Sequence, residues 1–463
     1  MIELRLADVA VVTGGRLERA DPGVTVTGPV VVDSREVVPG ALFVAVAGER
    51  VDGHDFARSA LDAGAVGVLA TRPVGVPAVV VPDTVAALGA LARRVVTELT
   101  DRHGLVVVGV TGSQGKTGTK DLIAAVLEAC GPTIAPPGSF NNEIGLPLTA
   151  LRAQPTTRHL VLEMGARGAG HIRYLCELTP PRVGVVLNVG LAHVGEFGSR
   201  EAIAAAKGEL VEALPADGVA VLNADDPLVA AMAARTAARV LTFGSGAAHV
   251  RATDARLVDG RPVFVLTTPA GSAEVRLSLH GAHHVGNALA AAAVGHELGM
   301  SPTRIAASLN AARPRSRWRM EVTTRADGVT VVNDAYNANP DSMRAALAAT
   351  VAIAGERRRW AVLGEMRELG ESSAAEHEAL GRLVADMDIS RLIVVGEGAR
   401  PTLAGARQAR AWTREPQFAA DVEGALGLLR AELAPADVVL VKASRAVGLE
   451  RVAAALLEEQ VPA

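Results

Sequence analysis

Short runs of valine, isoleucine and leucine recur along this chain with alanine-rich segments between them. The runs predict strands at residues 105–110, 159–163, 183–189, 219–223, 329–334, 359–364, 391–396 and 437–442. A continuous apolar run suits a strand buried on both faces, and apolar residues returning every three or four positions suit a helix lying over it. The alternation therefore predicts an α/β protein with mainly parallel sheets. At 463 residues the chain is too long for one core. One boundary is expected near residue 100, where a helix runs into DRHG, and another at RPRSRW, where Pro314 stops an alanine-rich helix. Three domains result, spanning 1–100, 101–313 and 314–463.

Most polar signals follow the strand ends: Thr111 to Thr117, Glu163, Asn188 to His193, Asn223, Asp334, Glu365 and Ser444. Ligands of doubly wound sheets bind at the carboxyl ends of the strands, so these segments can share one crevice or two facing ones. Turn residues also cluster there in any such fold, so the clustering marks a site without naming it.

A net charge of −4 speaks against a nucleic-acid partner or a membrane surface, both of which call for a basic face. Glu3, Arg5 and Asp8 interrupt what would have to be the apolar part of a signal peptide, and no apolar stretch is long enough to span a bilayer. Cys130 and Cys176 form no disulfide framework and have no metal-ligand spacing around them. Both are expected to be reduced core residues of a cytoplasmic protein. Of 46 basic residues only Lys116, Lys120, Lys207 and Lys442 are lysine. A chain so biased to arginine keeps lysine where a compact ammonium, able to lose its proton, is needed.

Two of the four lie in VVVGVTGSQGKTGTKDLIAAVLEA, residues 106–129. A phosphate-binding loop needs a strand, a glycine-rich turn with inward N–H groups, a lysine, and a Ser/Thr at a helix start. Here the turn is Gly112, Ser113, Gln114 and Gly115, followed by Lys116 and Thr117. The glycine of the longer common pattern is replaced by Val110. Lys116 suits the β- and γ-phosphates of a nucleotide and Thr117 a Mg²⁺ ion.

The shortened TGSxGKT form resembles the Mur ligase superfamily, which joins amino acids to carboxylates with ATP, and similarity to that family extends through all three domains. The fold it implies is an N-terminal uridine-binding α/β domain, a central P-loop ATPase-type domain and a C-terminal Rossmann-like domain. VLEMGARGAGHI and NVGLAHVGEFGS bring Glu163 and His193 to the family's magnesium positions; by chemistry alone His193 reads as a loop histidine. IAAAKGELVEAL brings Lys207, which alone reads as a solvated helix residue, to the lysine that is carbamylated in several members. GAHHVGNALAAAAV matches a G-x-H-x-x-x-N signature that places Asn287 near adenine. His280, His283 and His284 suggest zinc, but no cysteine or carboxylate completes such a site. SRWRM brings Arg317 to the position of a phosphate-contacting arginine, and VVNDAYNANPDSM brings Asp334 and a turn that closes on the nucleotide.

Further strings point within the family. DSREVVPGALFVAVAGERVDGHDF resembles a uridine-binding domain, with Ser34 and Arg35 on the uridine and its phosphates. GSFNNEIGLPLT and LGEMRELGESSAAEH resemble the branch that adds D-alanyl-D-alanine to UDP-N-acetylmuramoyl-tripeptide in peptidoglycan synthesis. The DNPR string of the branch adding the third-position diamino acid is absent. On this resemblance Asn141 and Asn142 meet the tripeptide, and Tyr336, Asn337 and Asn339 are candidates for the dipeptide. ATP and Mg²⁺ are the implied cofactors, and a monomer without membrane insertion is expected. The alternatives are a diamino-acid-adding ligase and a non-catalytic nucleotide-binding relative. KAS at 442–444 stands where the family has KGS, which leaves the role of Lys442 open.

Overall fold

The computed structural model describes residues 2–48, 51–190, 194–409, 412 and 415–458. Three α/β units follow one another, each built on its own sheet, with a small ribbon pairing Leu4–Arg5 and Thr25–Val26 beside the first. In the first sheet Val30–Val31, Leu42–Val44, Gly67–Ala70 and Ala78–Val80 run parallel, and Arg16–Glu18 closes the edge antiparallel. The second has nine strands. Seven are parallel, in the order Thr133–Ile134, His159–Glu163, Val106–Thr111, Val183–Val186, Val219–Asn223, Arg239–Gly244, Val250–Val258. Arg261–Thr268 and Gly271–Arg276 extend it antiparallel. The third sheet has Glu321–Thr324 antiparallel at one edge. It continues with Thr330–Asn333, Val438–Lys442, Arg359–Leu363, Arg391–Val395 and Gln417–Ala419, all parallel.

Every strand expected from an apolar run is present. The antiparallel extension beyond residue 250 was not expected: Gly271–Arg276 is largely polar and exposed, and Arg261–Thr268 holds only the short apolar run Val263–Leu266. The strand expected at 183–189 ends at Val186, since the chain then leaves the sheet to wrap the phosphate loop: Leu187 donates to Thr111 O (3.0 Å) and Ser113 to Asn188 O (3.1 Å).

The first helix-to-strand boundary is not a loose linker. The helix Thr84–His103 runs past residue 100 and stops at Gly104, whose φ of +68° suits only glycine without strain. Its apolar residues Leu88, Leu91, Val95 and Leu99 belong to one cluster. That cluster joins Leu6, Val9, Val79 and Val81 on one side to Leu146, Leu160, Met164 and Leu178 on the other. At Gly89 an added Cβ would lie 2.8 Å from Leu178 Cδ2, so the helix is pressed against the second unit.

Small residues set the helix spacing elsewhere. The helix His284–Glu297 buries Ala288 to Val294 without a break and lies against the helix Lys116–Glu128. At Gly295 a Cβ would come within 2.7 Å of Val126 Cγ1. In the third unit the helices Ser373–Asp386 and Pro401–Ala409 cross at Gly381 and Gly405, where a Cβ would meet the backbone oxygens of Thr402 and Glu378 at 2.0 and 1.9 Å. Backbone cannot rotate away as a side chain can. Gly405→Ala is therefore expected to destabilise the third unit by about 3 kcal/mol, the upper range for overpacking, measured as a lower urea midpoint. Among the described residues no helix is long and apolar enough to cross a membrane.

Candidate active site

In the nine-stranded sheet the chain leaves Val106–Thr111 towards one edge, then returns to place Val183–Val186 on the other side of it. Such a reversal opens a crevice at the carboxyl ends of the strands. The loop Gly112 to Thr117 fills this position, flanked by Glu163 at the end of one neighbouring strand and Asn188 beyond the other.

The loop is held from both sides. Asn188 Oδ1 accepts from Gln114 N (2.9 Å), and Ser113 Oγ accepts from Gly190 N (2.8 Å). Gly115 has φ +79°, and a Cβ there would lie 2.8 Å from Asn287 Oδ1. Asn287 is thus brought against the loop by the alanine-rich helix packed on Lys116–Glu128. No side chain caps that second helix, so the N–H groups of its first turn are available to an anion.

Lys116 Nζ donates to Gly112 O at 2.8 Å, folding the ammonium back over the loop. Burial lowers its pKa below the ordinary lysine value; Glu163 opposes that shift and Arg319 adds to it. Thr117 Oγ1 donates to Glu163 Oε2 (2.8 Å) and sits 2.7 Å from Ser139 Oγ, while Asn141 Nδ2 donates to Glu163 Oε1 (2.7 Å). Glu163 is 1% exposed.

Lys207, on the helix Arg200–Glu212, is buried, and its Nζ has no hydrogen-bond partner among the described residues. Burial and then the Lys116 charge push its pKa well below that of a free lysine. His193 lies outside the described residues. Burial is the main cause that lowers the pKa of His283 and, further, that of His284.

From the third unit Arg319, rather than Arg317, reaches this group. Arg317 is exposed, whereas Arg319 Nη2 donates to Ser139 Oγ at 3.0 Å and its guanidinium lies 4.1 Å from the centre of the Tyr336 ring. Arg319 Nε is buried with no hydrogen-bond partner among the described residues, so cationic capacity is left unspent. In SRWRM both arginines look alike. Only the loop's shape separates them.

Several expected contacts are taken up inside the protein. Asp334 is buried, with Oδ2 accepting from Lys442 Nζ (2.6 Å) and Oδ1 from Met320 N (3.1 Å). Asn142 Oδ1 accepts from the N–H groups of Ile144 (3.3 Å) and Gly145 (2.9 Å) at the start of the helix Gly145–Ala150. Asn339 caps Pro340–Ala354 by accepting from Ser342 N at 2.9 Å, and Asn337 O accepts from Lys442. Tyr336 is the dipeptide candidate beside Arg319. Ser34 and Arg35 lie on an exposed turn after the strand Val30–Val31; Arg35 is paired with Asp33 (2.5 Å), whose pKa it holds down to about 2.

Three of the four lysines donate hydrogen bonds to named acceptors, Lys116 to Gly112 O, Lys120 to Pro136 O and Lys442 to Asp334. Lys120 is fully buried, donates to Pro136 O (2.6 Å) and pairs with Asp121, fixing the turn that leads to Ser139.

The donors facing the loop suit a nucleotide with its metal. Thr117, Glu163 and Ser139 are oxygen ligands, as a hard divalent ion requires. Among the described residues no three His, Cys, Asp or Glu side chains cluster as a metal site. Mg²⁺ characteristically takes only one or two protein carboxylates together with phosphate oxygens, and Glu163 beside Thr117 meets that pattern.

Three stretches match models of one family: residues 29–96 its catalytic domain, 110–295 the Mur ligase middle domain and 318–445 the Mur ligase, glutamate ligase domain. The chain is 51% identical to the UDP-N-acetylmuramoyl-tripeptide--D-alanyl-D-alanine ligase of Mycobacterium tuberculosis, over 99% of this chain and 98% of that one. Among solved structures it is similar to MurF from Acinetobacter baumannii, with a TM-score of 0.87 at 32% identity, covering 97% of this chain and 98% of that one. MurF ligase from Thermotoga maritima in complex with ADP matches with a TM-score of 0.80 at 32% identity, covering 94% and 98%.

Proposed function

Because the chain belongs to the Mur ligase family along nearly its whole length, we infer that it is an ATP-dependent amide ligase adding D-alanyl-D-alanine to UDP-N-acetylmuramoyl-tripeptide. The observation that carries this is the Lys116–Thr117–Glu163 constellation at the sheet reversal, in a chain half identical to a ligase of that name. ATP and Mg²⁺ are its cofactors.

The tripeptide's terminal carboxylate attacks the γ-phosphorus of ATP, forming an acyl phosphate and releasing ADP. The amine of the dipeptide then adds to the acyl carbon, and the tetrahedral intermediate expels phosphate as the amine loses a proton. A carboxylate alone is inert to amines, so ATP supplies the leaving group. Mg²⁺ neutralises phosphate charge, and Thr117 and Glu163 are the residues that would hold it.

The chain's own part is electrostatic and positional. Lys116 and Arg319 bring two cations to the phosphates from opposite sides of the crevice, and preorganised charge in a site screened from water is effective in the transition state. Burial lowers the pKa of Lys207 well below that of a free lysine, so its amine loses a proton more readily, as uptake of carbon dioxide requires. A carbamate there would place a negative charge beside the metal site, attracted to the neighbouring Lys116 ammonium. Asn287 lies against the loop and is assigned to adenine. The turn Ser34–Glu36 in the first unit is assigned to the uridine end of the acceptor. A monomer working in the cytoplasm fits this activity.

ADP release should require both UDP-linked tripeptide and D-alanyl-D-alanine when each is omitted in turn. Full release with a diamino acid and the shorter UDP-linked acceptor would instead make the protein the diamino-acid-adding relative. Release independent of any amine would rule out the ligase reading altogether.

A further inference from the structure

Arg319 is carried by a loop whose backbone is costly. Trp318 and Met320, on either side of it, both have left-handed φ values, +59° and +50°. Residues other than glycine persist in that region only where the surroundings over-determine them. Three contacts provide this. Glu321 Oε2 accepts from Trp318 N (2.9 Å), Trp318 O accepts from Tyr336 N (3.2 Å), and Asp334 Oδ1 accepts from Met320 N (3.1 Å).

The third contact depends on Lys442. The strands Thr330–Asn333 and Val438–Lys442 are adjacent and parallel, with Asn333 level with Val441, so Asp334 and Lys442 emerge side by side. Lys442 Nζ donates to Asp334 Oδ2 (2.6 Å) and to Asn337 O (2.7 Å), with 2% of its side chain exposed. Without that ammonium the buried carboxylate loses its ion-pair partner and the hydrogen bond that holds Oδ2.

We propose that Lys442 is a positioning residue: through Asp334 it clamps the left-handed loop at 318–320, and so aims Arg319 across the crevice at Ser139 and the phosphate loop. This rests on the reading of Arg319 as a phosphate-facing cation. It also explains why lysine survives at 442. A single compact ammonium meets one carboxylate oxygen and one carbonyl with 2% of its side chain exposed, a point-charge role unlike that of a planar guanidinium fork.

The test is a double-mutant cycle on kcat. Asp334→Asn/Lys442→Met removes both charges together and leaves no lone buried ion. Lys442→Gln, which retains a donor, is the milder variant in the same cycle should the pair fold poorly. Each is made in the parent and in Arg319→Ala, with thermal midpoints recorded alongside. Arg319→Ala alone should lower kcat by about 10³-fold, as for arginines that stabilise phosphoryl transfer. The paired change should lower it about 10²-fold in the parent, the effect of a misplacement near 1 Å. In the Arg319→Ala background it should cost less than about 2-fold more, because the group being aimed is gone. Equal losses in both backgrounds would overturn the proposal while leaving the reading of Arg319 intact. An unchanged rate for Arg319→Ala itself would overturn both.

Discussion

Lys116→Met is expected to abolish ADP release, lowering kcat by at least about 10³-fold, which corresponds to about 4 kcal/mol of transition-state stabilisation. Methionine keeps the length and apolar body of the side chain, so the fold should survive; the hydrogen bond to Gly112 O and the positive charge do not. Two features make the effect large. The ammonium is held over the loop by its bond to Gly112 O, and burial weakens the competition from solvent, as the lowered pKa reflects. Lys116→Arg should not restore the rate, since a guanidinium cannot fold back onto Gly112 O within the same turn. Single-turnover measurement of ADP formation separates this from a loss of ATP binding; a rate within a factor of ten of the parent would remove Lys116 from the phosphate site.

Lys207→Ala should be nearly inactive as well, with part of the activity regained in millimolar acetate or formate. The alanine leaves a buried space beside Lys116, and a short carboxylate returns the negative charge that a carbamate brings. Lys207→Met leaves no such space and should not be rescued. The pH dependence follows from the direction of the shift. The folded-state pKa lies well below that of free lysine, so the neutral amine persists at pH values where an exposed lysine is charged. As pH falls through the lowered value the amine protonates and can no longer hold carbon dioxide. In buffer depleted of carbon dioxide, the parent's activity should therefore drop on the acid side and return with added bicarbonate. An alanine variant as active as the parent without carboxylate would end the carbamate reading.

Much of the protein was legible from its letters because apolar runs and glycine turns act locally. A valine run has one low-energy use in an α/β protein, and TGSQGKT has the conformational freedom and donors of a phosphate loop wherever it stands. The eight strands and the placing of Lys116 and Thr117 follow from that. The strands after residue 250 were less visible, since Val250–Val258 and Gly271–Arg276 are largely exposed and interrupt their apolar residues with polar ones. The boundary near residue 100 was placed where a helix runs into DRHG, a local signal that cannot register that Thr84–His103 buries residues on both sides and binds two units into one core.

The four lysines were singled out by rarity alone, and rarity cannot say what each one touches. Tertiary structure gave Lys120 to a turn and Lys442 to Asp334, and it left Lys207 buried beside Lys116. It also chose between Arg317 and Arg319, two residues apart with the same side chain. That choice depends on the left-handed backbone of Trp318 and Met320, fixed by Asp334 and Tyr336 from later in the sequence. Local chemistry is written into a segment and can be read there. The direction in which a side chain points is set by neighbours brought from elsewhere in the chain, and only the folded arrangement contains them.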